Sequence, residues 1–240
     1  MIKFIRSIIV IIMLILFGFG ALFIRYFIFP FQKTRDENYK TLQKSWQIYI
    51  RMLEICKVLT LKVNDEEKIK NIKNSIIVST HPSFVDIVIL MSIIPNSTCF
   101  VAEKLSRNPF FKGMVKLLFI LETSSTEDWL KDACEKLDNG LNIIIFPMGG
   151  RHKMDAQPKI RRGTALMALK SQKNIVALHL KNNFDFLQKG QPVYKVDEKP
   201  TEYTLDYIGE INSKDFLAKY PDEVTFKTEI TKQITKTLYN

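Results

Sequence analysis

One short segment sets the fold of this chain: Ile76-Ile77-Val78-Ser79-Thr80-His81-Pro82-Ser83-Phe84-Val85-Asp86. Its apolar, β-branched start is typical of a buried strand. Proline fixes its own φ, lacks an N–H and holds the preceding residue extended, so we expect His81 at the strand exit and Pro82 at the start of a helix. The segment therefore predicts a strand that runs directly into a helix, Asp86–Ser92.

Short apolar stretches of the same kind recur downstream and alternate with helical patterns. Besides Ile76–Ser79, the predicted strands are Thr98–Ala102, Phe119–Leu121, Asn142–Phe146 and Ile175–Leu180. The alternation predicts an α/β fold with a mixed, largely parallel sheet flanked by helices. Thr126 is the predicted N-cap of the helix before the fourth of these strands, and Asn139-Gly140 its predicted end. Residues 64–240, with a later strand segment at Thr201–Ile208, are predicted to form one domain.

The N-terminal part of the chain has the composition of a membrane-contacting segment. From Ser7 to Phe31 it is almost wholly apolar, and Lys3 and Arg6 precede this stretch. About 20 apolar residues are needed to cross the hydrocarbon core, so spanning, tilted and re-entrant arrangements all fit. A cleaved signal peptide is the alternative, but bulky residues stand where its small-residue exit should be. We therefore predict a membrane anchor over residues 1–33.

The basic residues after the apolar stretch bear on its orientation. Arg25, Lys33 and Arg35 favour a body that stays in the cytoplasm, although the two N-terminal basic residues weaken the asymmetry.

The segment 34–63 follows the anchor and has a helical apolar period. Its apolar face recurs at three- and four-residue steps through Tyr39, Leu42, Trp46, Tyr49, Leu53 and Cys56. This pattern predicts an amphipathic helix. Its aromatic stripe would pack against the domain core or lie on the bilayer, and we expect a mixture with core packing ahead.

The composition narrows the classes of partner that this protein is expected to bind. Lysine and arginine number 35 against 25 acidic residues, a net charge of +10, which favours phosphates or acidic lipid surfaces. Nucleic acid is the rival partner for a basic chain, but no nucleic-acid-binding motif is visible and we predict none. The cysteines (Cys56, Cys99 and Cys134) and the three histidines are dispersed, so we predict no disulfide framework and no bound metal.

His81 and Asp86 form the first candidate site. A carboxylate bonded to one imidazole nitrogen fixes the tautomer and stabilises the cation that forms when the other nitrogen accepts a proton. Because His81 is expected outside the helix, Asp86 can reach back to it, whereas two residues five apart on one helix would diverge. The pair would then activate a hydroxyl. The alternative is a strand-end histidine that Asp86 merely caps.

The second candidate site follows the strand Asn142–Phe146 and reads Pro147-Met148-Gly149-Gly150-Arg151. Gly149 and Gly150 allow close backbone approach, so successive N–H groups can converge on an anion, and Arg151 supplies a planar fork that suits phosphate. Lys159, Arg161 and Arg162 add positive charge shortly afterwards. An ordinary glycine turn with solvated charges is the alternative.

Together these segments resemble the glycerophospholipid acyltransferase family, typified by 1-acylglycerol-3-phosphate acyltransferase, whose hallmark is a histidine, four residues and an aspartate. His81 and Asp86 match that hallmark in order and spacing. The family's later blocks are similar to three further segments of this chain: Ala102-Glu103-Lys104-Leu105, Phe146-Pro147-Met148-Gly149-Gly150-Arg151 and Arg161-Arg162-Gly163. The resemblance covers about residues 76–180.

The resemblance implies an acyltransferase that works without a cofactor. His81 would be the base and Asp86 its partner, and the acceptor phosphate would be held by Gly149, Gly150, Arg151, Lys104, Arg161 and Arg162. The implied substrates are an acyl carrier protein or coenzyme A thioester and a lysophospholipid, in membrane lipid synthesis. The implied location is the cytoplasmic face of a membrane, which we take to be the bacterial inner membrane.

Several residues depart from the family pattern and bear on the acceptor. Met148 stands where the family has glutamate, Gly150 where it has threonine, and Glu122-Thr123 where it often has an aspartate and a phosphate-binding arginine. These changes keep two rival hypotheses open. One is an inactive lysolipid- or acyl-carrier-binding protein of the same fold, and the other is a hydrolase that uses the pair to activate water.

Overall fold

The computed structural model describes residues 2–80, 83–122, 125–149, 160–184, 186–187 and 190–239. Within these ranges seven strands form one sheet in the order β1-β7-β6-β2-β5-β3-β4. The strands are β1 (Leu59–Val63), β2 (Ile76–Ser79), β3 (Ser97–Ala102), β4 (Ile120–Glu122), β5 (Asn142–Ile145), β6 (Ile175–Asn182) and β7 (Thr201–Ile211). Neighbouring strands are parallel except β6 and β7, which are antiparallel. The predicted mixed, largely parallel α/β sheet is confirmed.

Helices cover both faces of this sheet. They are α1 (Ile2–Phe23), α2 (Arg35–Ile55), α3 (Glu66–Lys70), α4 (Asp86–Ile93), α5 (Lys112–Leu118), α6 (Thr126–Asp138), α7 (Gly163–Ser171), α8 (Ser213–Lys219) and α9 (Glu223–Tyr239). Side chains that alternate along β2 divide between two cores, because successive residues of a strand point to opposite faces. Ile77 packs in the core under α2 and α4, whereas Ile76 and Val78 pack in the core under α6, α7 and α9.

From Ile8 to Phe23 the helix α1 is apolar around its whole circumference. One face packs on the body through Val10, Met13 and Ala21, while the other exposes large apolar side chains such as Phe4 and Phe19. Of the described helices, the continuous run Ile2–Phe31 is the one long and apolar enough to cross a membrane. A water-exposed apolar face of this size marks an interaction surface.

The segment predicted as one amphipathic helix over 34–63 is only partly helical. The helix ends at Ile55, and β1 follows as an edge strand paired in parallel with β7. The expectation that the apolar face of this helix packs mainly in the core is confirmed for Tyr39, Leu42 and Trp46, which are buried.

Two local predictions at helix and strand boundaries were also wrong. The N-cap of α6 is Ser125 and not Thr126, because the Ser125 hydroxyl accepts the N–H of Asp128. Strand β4 lies one residue later than predicted. The helix α4 begins at Asp86, as the predicted range Asp86–Ser92 requires, and Pro82 lies outside the described residues.

Candidate active site

The carboxyl ends of the five mutually parallel strands, β2 to β6, meet at one edge of the sheet, where ligand sites of α/β proteins gather. The start of α4 lies there after β2, Lys104 lies just after β3, and Glu122 ends β4. Gly149 lies beyond the end of β5 at the same edge. Because β7 runs in the opposite direction, its first residues also lie at this edge, and Tyr203 pairs with Asn182 at the end of β6.

Asp86 is one of the enclosed polar residues of this edge. It is fully buried in the first turn of α4, where a helix dipole favours a negative charge. The backbone N–H of Ser83 donates to its Oδ2 at 2.5 Å, and the Ser83 hydroxyl donates to its Oδ1 at 2.6 Å. Each carboxylate oxygen is therefore held by a bond to Ser83, and the carboxylate has one orientation.

Tyr203 extends this network from strand β7. Its hydroxyl lies 2.9 Å from the Ser83 hydroxyl. Because Ser83 donates its proton to Asp86, Tyr203 is the donor in this second bond. Burial, and then the charge of Asp86, raise the pKa of the Tyr203 phenol. The tyrosine therefore stays a hydrogen-bond donor at neutral pH.

Thr80 fixes the backbone at the end of β2. Its hydroxyl donates to the carbonyl of Leu180 at 2.7 Å and accepts the N–H of Leu180 at 3.0 Å. The side chain thus continues the pairing of β2 with β6 beyond its last strand residue, Ser79. Thr80 immediately precedes His81, which lies outside the described residues, so the expected contact between His81 and Asp86 stays a prediction.

A polar cleft of about 480 Å³ opens between the ends of β3, β4 and β5. The charged side chains among its described lining residues are Lys104, Glu122 and Arg161. Phe84 and Ile87, which flank Asp86 in the sequence, also line it. The cleft therefore borders the start of α4 and carries both signs of charge.

Gly149 and Arg161 pack directly on each other in this cleft. Gly149 has a φ of +75°, and a Cβ atom there would lie 2.2 Å from Nε of Arg161. The close approach expected at Gly149 is thus made by the side chain of Arg161. The backbone N–H of Arg161 donates to the carbonyl of Pro147 at 2.7 Å, and its guanidinium donates to Glu122 at 3.2 Å. Three contacts therefore hold Arg161 in the cleft: its packing on Gly149, the backbone bond to Pro147 and the side-chain bond to Glu122.

An apolar cavity of about 310 Å³ adjoins the cleft, between α1, α2 and the α4–α5 face of the body. The ring of Phe17 on α1 lies 4.9 Å from the ring of Tyr49 and 5.8 Å from that of Phe111. Four residues line both the cavity and the polar cleft: Phe84, Ile87, Cys99 and Val101. An amphiphile could accordingly place a polar group in the cleft and a hydrocarbon chain in the cavity.

Cys99 is the cysteine among the described lining residues of the cleft. Burial raises the pKa of the Cys99 thiol, which stays protonated and therefore a poor nucleophile. Among the described residues no group of three or more His, Cys, Asp or Glu side chains could hold a metal ion.

The predicted site residues fall into three groups. Lys104, Gly149 and Arg161 come together in the polar cleft, with Asp86 just beyond its wall. Arg162 is exposed before α7 and is not among the residues that line the cleft. His81, Gly150 and Arg151 lie outside the described residues.

Two residues that support this edge of the sheet escaped the sequence analysis. Tyr203 is 120 positions from Ser83 and nothing local marks it, beyond an inward position in a strand. Thr80 carries a weak signal, since it directly precedes the histidine.

Known proteins resemble this chain in sequence and in fold. A profile of the acyltransferase family matches residues 60–181. The 1-acyl-sn-glycerol-3-phosphate acyltransferase of Helicobacter pylori is 31% identical over 144 residues, which are 55% of this chain and 60% of that protein. The chain thus spans less than two thirds of this relative. The crystal structure of the 1-acyl-sn-glycerophosphate (LPA) acyltransferase PlsC from Thermotoga maritima matches with a TM-score of 0.72 at 16% identity, over 98% of this chain and 93% of that one, which shows a shared fold.

Proposed function

This chain belongs to the acyltransferase family, and from that premise we propose that it transfers a fatty acyl group from a thioester to the hydroxyl of a lysophospholipid. The acceptor is 1-acylglycerol-3-phosphate or a lysolipid built on it, and the donor is an acyl carrier protein or coenzyme A thioester. One observation carries the proposal: the buried carboxylate of Asp86 lies beside the wall that separates a charged cleft from an apolar cavity.

In the proposed reaction, His81 removes the proton from the acceptor hydroxyl. The oxygen attacks the thioester carbonyl, a C–O bond forms and the C–S bond breaks, and the proton passes from His81 to the departing sulfur. Asp86 stabilises the imidazolium between these two steps. The bonds from Ser83 hold the carboxylate still, so that little reorganisation is needed when the imidazole becomes charged.

The two cavities suit the two ends of such a lipid. Lys104 and Arg161 supply positive charge for the phosphate in the cleft, and Gly150 and Arg151 are proposed to complete that site. The apolar cavity suits a fatty acyl chain, because burial of each CH₂ group stabilises the complex by about 0.8 kcal/mol.

The exposed apolar face of α1 suits membrane association, and the start of α1 bears on its arrangement. Arg6 donates to the carbonyls of Lys57, Asp197 and Lys199 at 2.7–2.8 Å, so this end lies against the body. A helix crossing the bilayer away from the body would carry Arg6 to the opposite side. We therefore propose that α1 lies within one leaflet, with the body on the cytoplasmic face of the bacterial inner membrane.

The test is acyl transfer by the purified protein in lipid vesicles, with acyl-carrier-protein and coenzyme A thioesters and a panel of lysolipids. We expect His81→Ala to abolish transfer, while the control His179→Gln, a partly buried histidine on β6, retains it. Retained turnover in His81→Ala would overturn the mechanism. Lysolipid binding without thioester consumption would identify an inactive binding protein, and release of free fatty acid would identify a hydrolase.

The predicted role of Arg151 is tested in the same assay. Arg151→Ala should raise the half-saturating concentration of phosphate-bearing acceptors far more than that of the thioester, because a charge-assisted bond to phosphate is lost. Unchanged acceptor saturation would remove Arg151 from the phosphate site.

A further inference from the structure

The start of the helix α7 forms part of the wall of the polar cleft. Its first two residues, Gly163 and Thr164, both line the cleft. The N–H of Leu166 donates to the carbonyl of Arg162 at 3.0 Å, and the N–H groups of the three residues before Leu166 have no carbonyl to bond within the helix. Such N–H groups, at the positive end of a helix dipole, form a favourable site for an anion.

The chain does little to neutralise this end of α7. Its N-cap residue, Arg162, makes no side-chain capping bond within the described residues, and its first turn carries no acidic residue. By contrast, Ser125 caps α6, whose first turn carries Glu127 and Asp128. The start of α7 therefore keeps its positive potential, and the charge of Arg162 adds to it.

The hydroxyl of Thr164 is the second observation that points to a ligand. Thr164 is 1% exposed, and its Oγ1 has no hydrogen-bond partner among the described residues. A buried hydroxyl without a partner costs free energy, and most buried polar groups in proteins are hydrogen-bonded. Because Thr164 lines the cleft, an oxygen of a bound ligand can supply the missing partner.

We propose that the first turn of α7 binds a phosphate group in the cleft, through the N–H groups of Gly163 and Thr164 and the hydroxyl of Thr164. This inference deepens the proposed function, on which it rests, by adding uncharged donors to the lysine and arginine contacts of the acceptor phosphate. The phosphate of the thioester carrier is the other source of the same group. A hydrogen bond to a charged group changes a binding constant by about tenfold or more.

The experiment measures equilibrium binding of two lipids with the same acyl chain, 1-acylglycerol-3-phosphate and 1-acylglycerol, in neutral vesicles without a thioester. Thr164→Val removes the hydroxyl and keeps the branched side chain. It should weaken binding of the phosphate lipid about tenfold and leave binding of 1-acylglycerol unchanged, and Thr164→Ser should retain most of the phosphate binding. Thr164→Val should not lower Tm, because it strands no bonding partner among the described residues.

Ser213→Ala is the matched control. Ser213 is also 1% exposed at the start of a helix, α8, and its Oγ likewise has no partner in the described part of the chain. It is not among the described residues that line the cleft, and Asn212 caps its helix. Ser213→Ala should therefore bind both lipids as the wild type does.

Turnover identifies the source of the phosphate. Thr164→Val should raise the KM of the phosphate-bearing acceptor about tenfold and leave the KM of the thioester unchanged. A higher KM for a coenzyme A thioester, but not for an N-acetylcysteamine thioester that lacks phosphate, would also support the phosphate subsite and assign it to the carrier.

Unchanged binding of both lipids and an unchanged KM for every substrate would overturn the inference, as would an equal loss for the lipids with and without phosphate. If the wild type acylates no lysolipid, the proposed function fails. The difference in lipid binding between Thr164→Val and Ser213→Ala needs no turnover, so it separates that failure from a failure of the α7 subsite.

Discussion

Two carboxylates lie at the carboxyl edge of the sheet, and their surroundings differ in almost every respect. Asp86 is fully buried, and both of its oxygens are bonded to Ser83. The side chain of Glu122 is 54% exposed and pairs with Arg161, which is 63% exposed. A buried carboxylate with fixed donors cannot be altered without stranding those donors, whereas an exposed ion pair contributes little to folding. The chain thus separates a charge that must keep its position from one whose loss should cost the fold little.

The largest expected effect comes from neutralising the buried carboxylate, Asp86. Asp86→Asn should lower kcat by about 10³- to 10⁴-fold, as expected when an imidazole loses the carboxylate that fixes its tautomer. One of the two Ser83 donors would then face an amide NH₂ group, so the free energy of unfolding should fall by about 1–3 kcal/mol. Initial rates and urea unfolding measure the two effects. Glu103→Gln is the control, because Glu103 is an exposed acid that pairs with Arg107 and is not among the described residues that line the cleft. A rate for Asp86→Asn within tenfold of the wild type would contradict the comparison.

A smaller effect on kcat and stability is expected when Asp86 is kept and the hydrogen bond from Tyr203 to Ser83 is removed. Tyr203→Phe deletes the phenol that donates to Ser83 at 2.9 Å. We expect a loss of about 1 kcal/mol in stability from the missing hydrogen bond. A loss of about tenfold in kcat with little change in KM should accompany it, which corresponds to about 1.4 kcal/mol of activation free energy. Tyr207→Phe, a less buried tyrosine on the same strand, is the control, and equal effects from both substitutions would remove Tyr203 from the network.

Tyr203 should also make the free energy of unfolding depend on pH above 10. Because the pKa of Tyr203 is raised in the folded chain, the unfolded chain loses this proton first as the pH passes 10. The unfolded state then binds fewer protons, so stability falls with rising pH above 10. The advantage in unfolding free energy of the wild type over Tyr203→Phe should shrink by about 1 kcal/mol between pH 10 and pH 11. Urea unfolding at several pH values measures this difference, and a constant difference would contradict the assigned pKa direction.

Local patterns predicted this edge of the sheet better than its long-range contacts. The strand β2 occupies the predicted residues, because an apolar run that ends before a proline is encoded within a few residues. That Lys104 and Arg161 share one cleft was expected from the family resemblance and not from a local pattern. The strand β1 was missed because its outward residues are partly exposed and its partner, β7, lies about 140 positions later. Glu122 appeared in the sequence only as a departure from the family pattern. Its pairing with Arg161 depends on how β4 and the segment after β5 meet in space.

The smallest expected effect concerns the exposed pair itself. A double-mutant cycle of Glu122→Gln and Arg161→Gln should give a coupling free energy of unfolding of about 0.2–1 kcal/mol, because water and side-chain entropy offset most of the attraction. Salt at about 1 M should reduce the coupling further, since it shortens the screening length to about 3 Å. Neither single substitution should change kcat through stability, and any change in acceptor preference would then reflect binding. A coupling above about 2 kcal/mol that resists salt would mean that Glu122 serves the fold as Asp86 does, and the contrast between the two carboxylates would disappear.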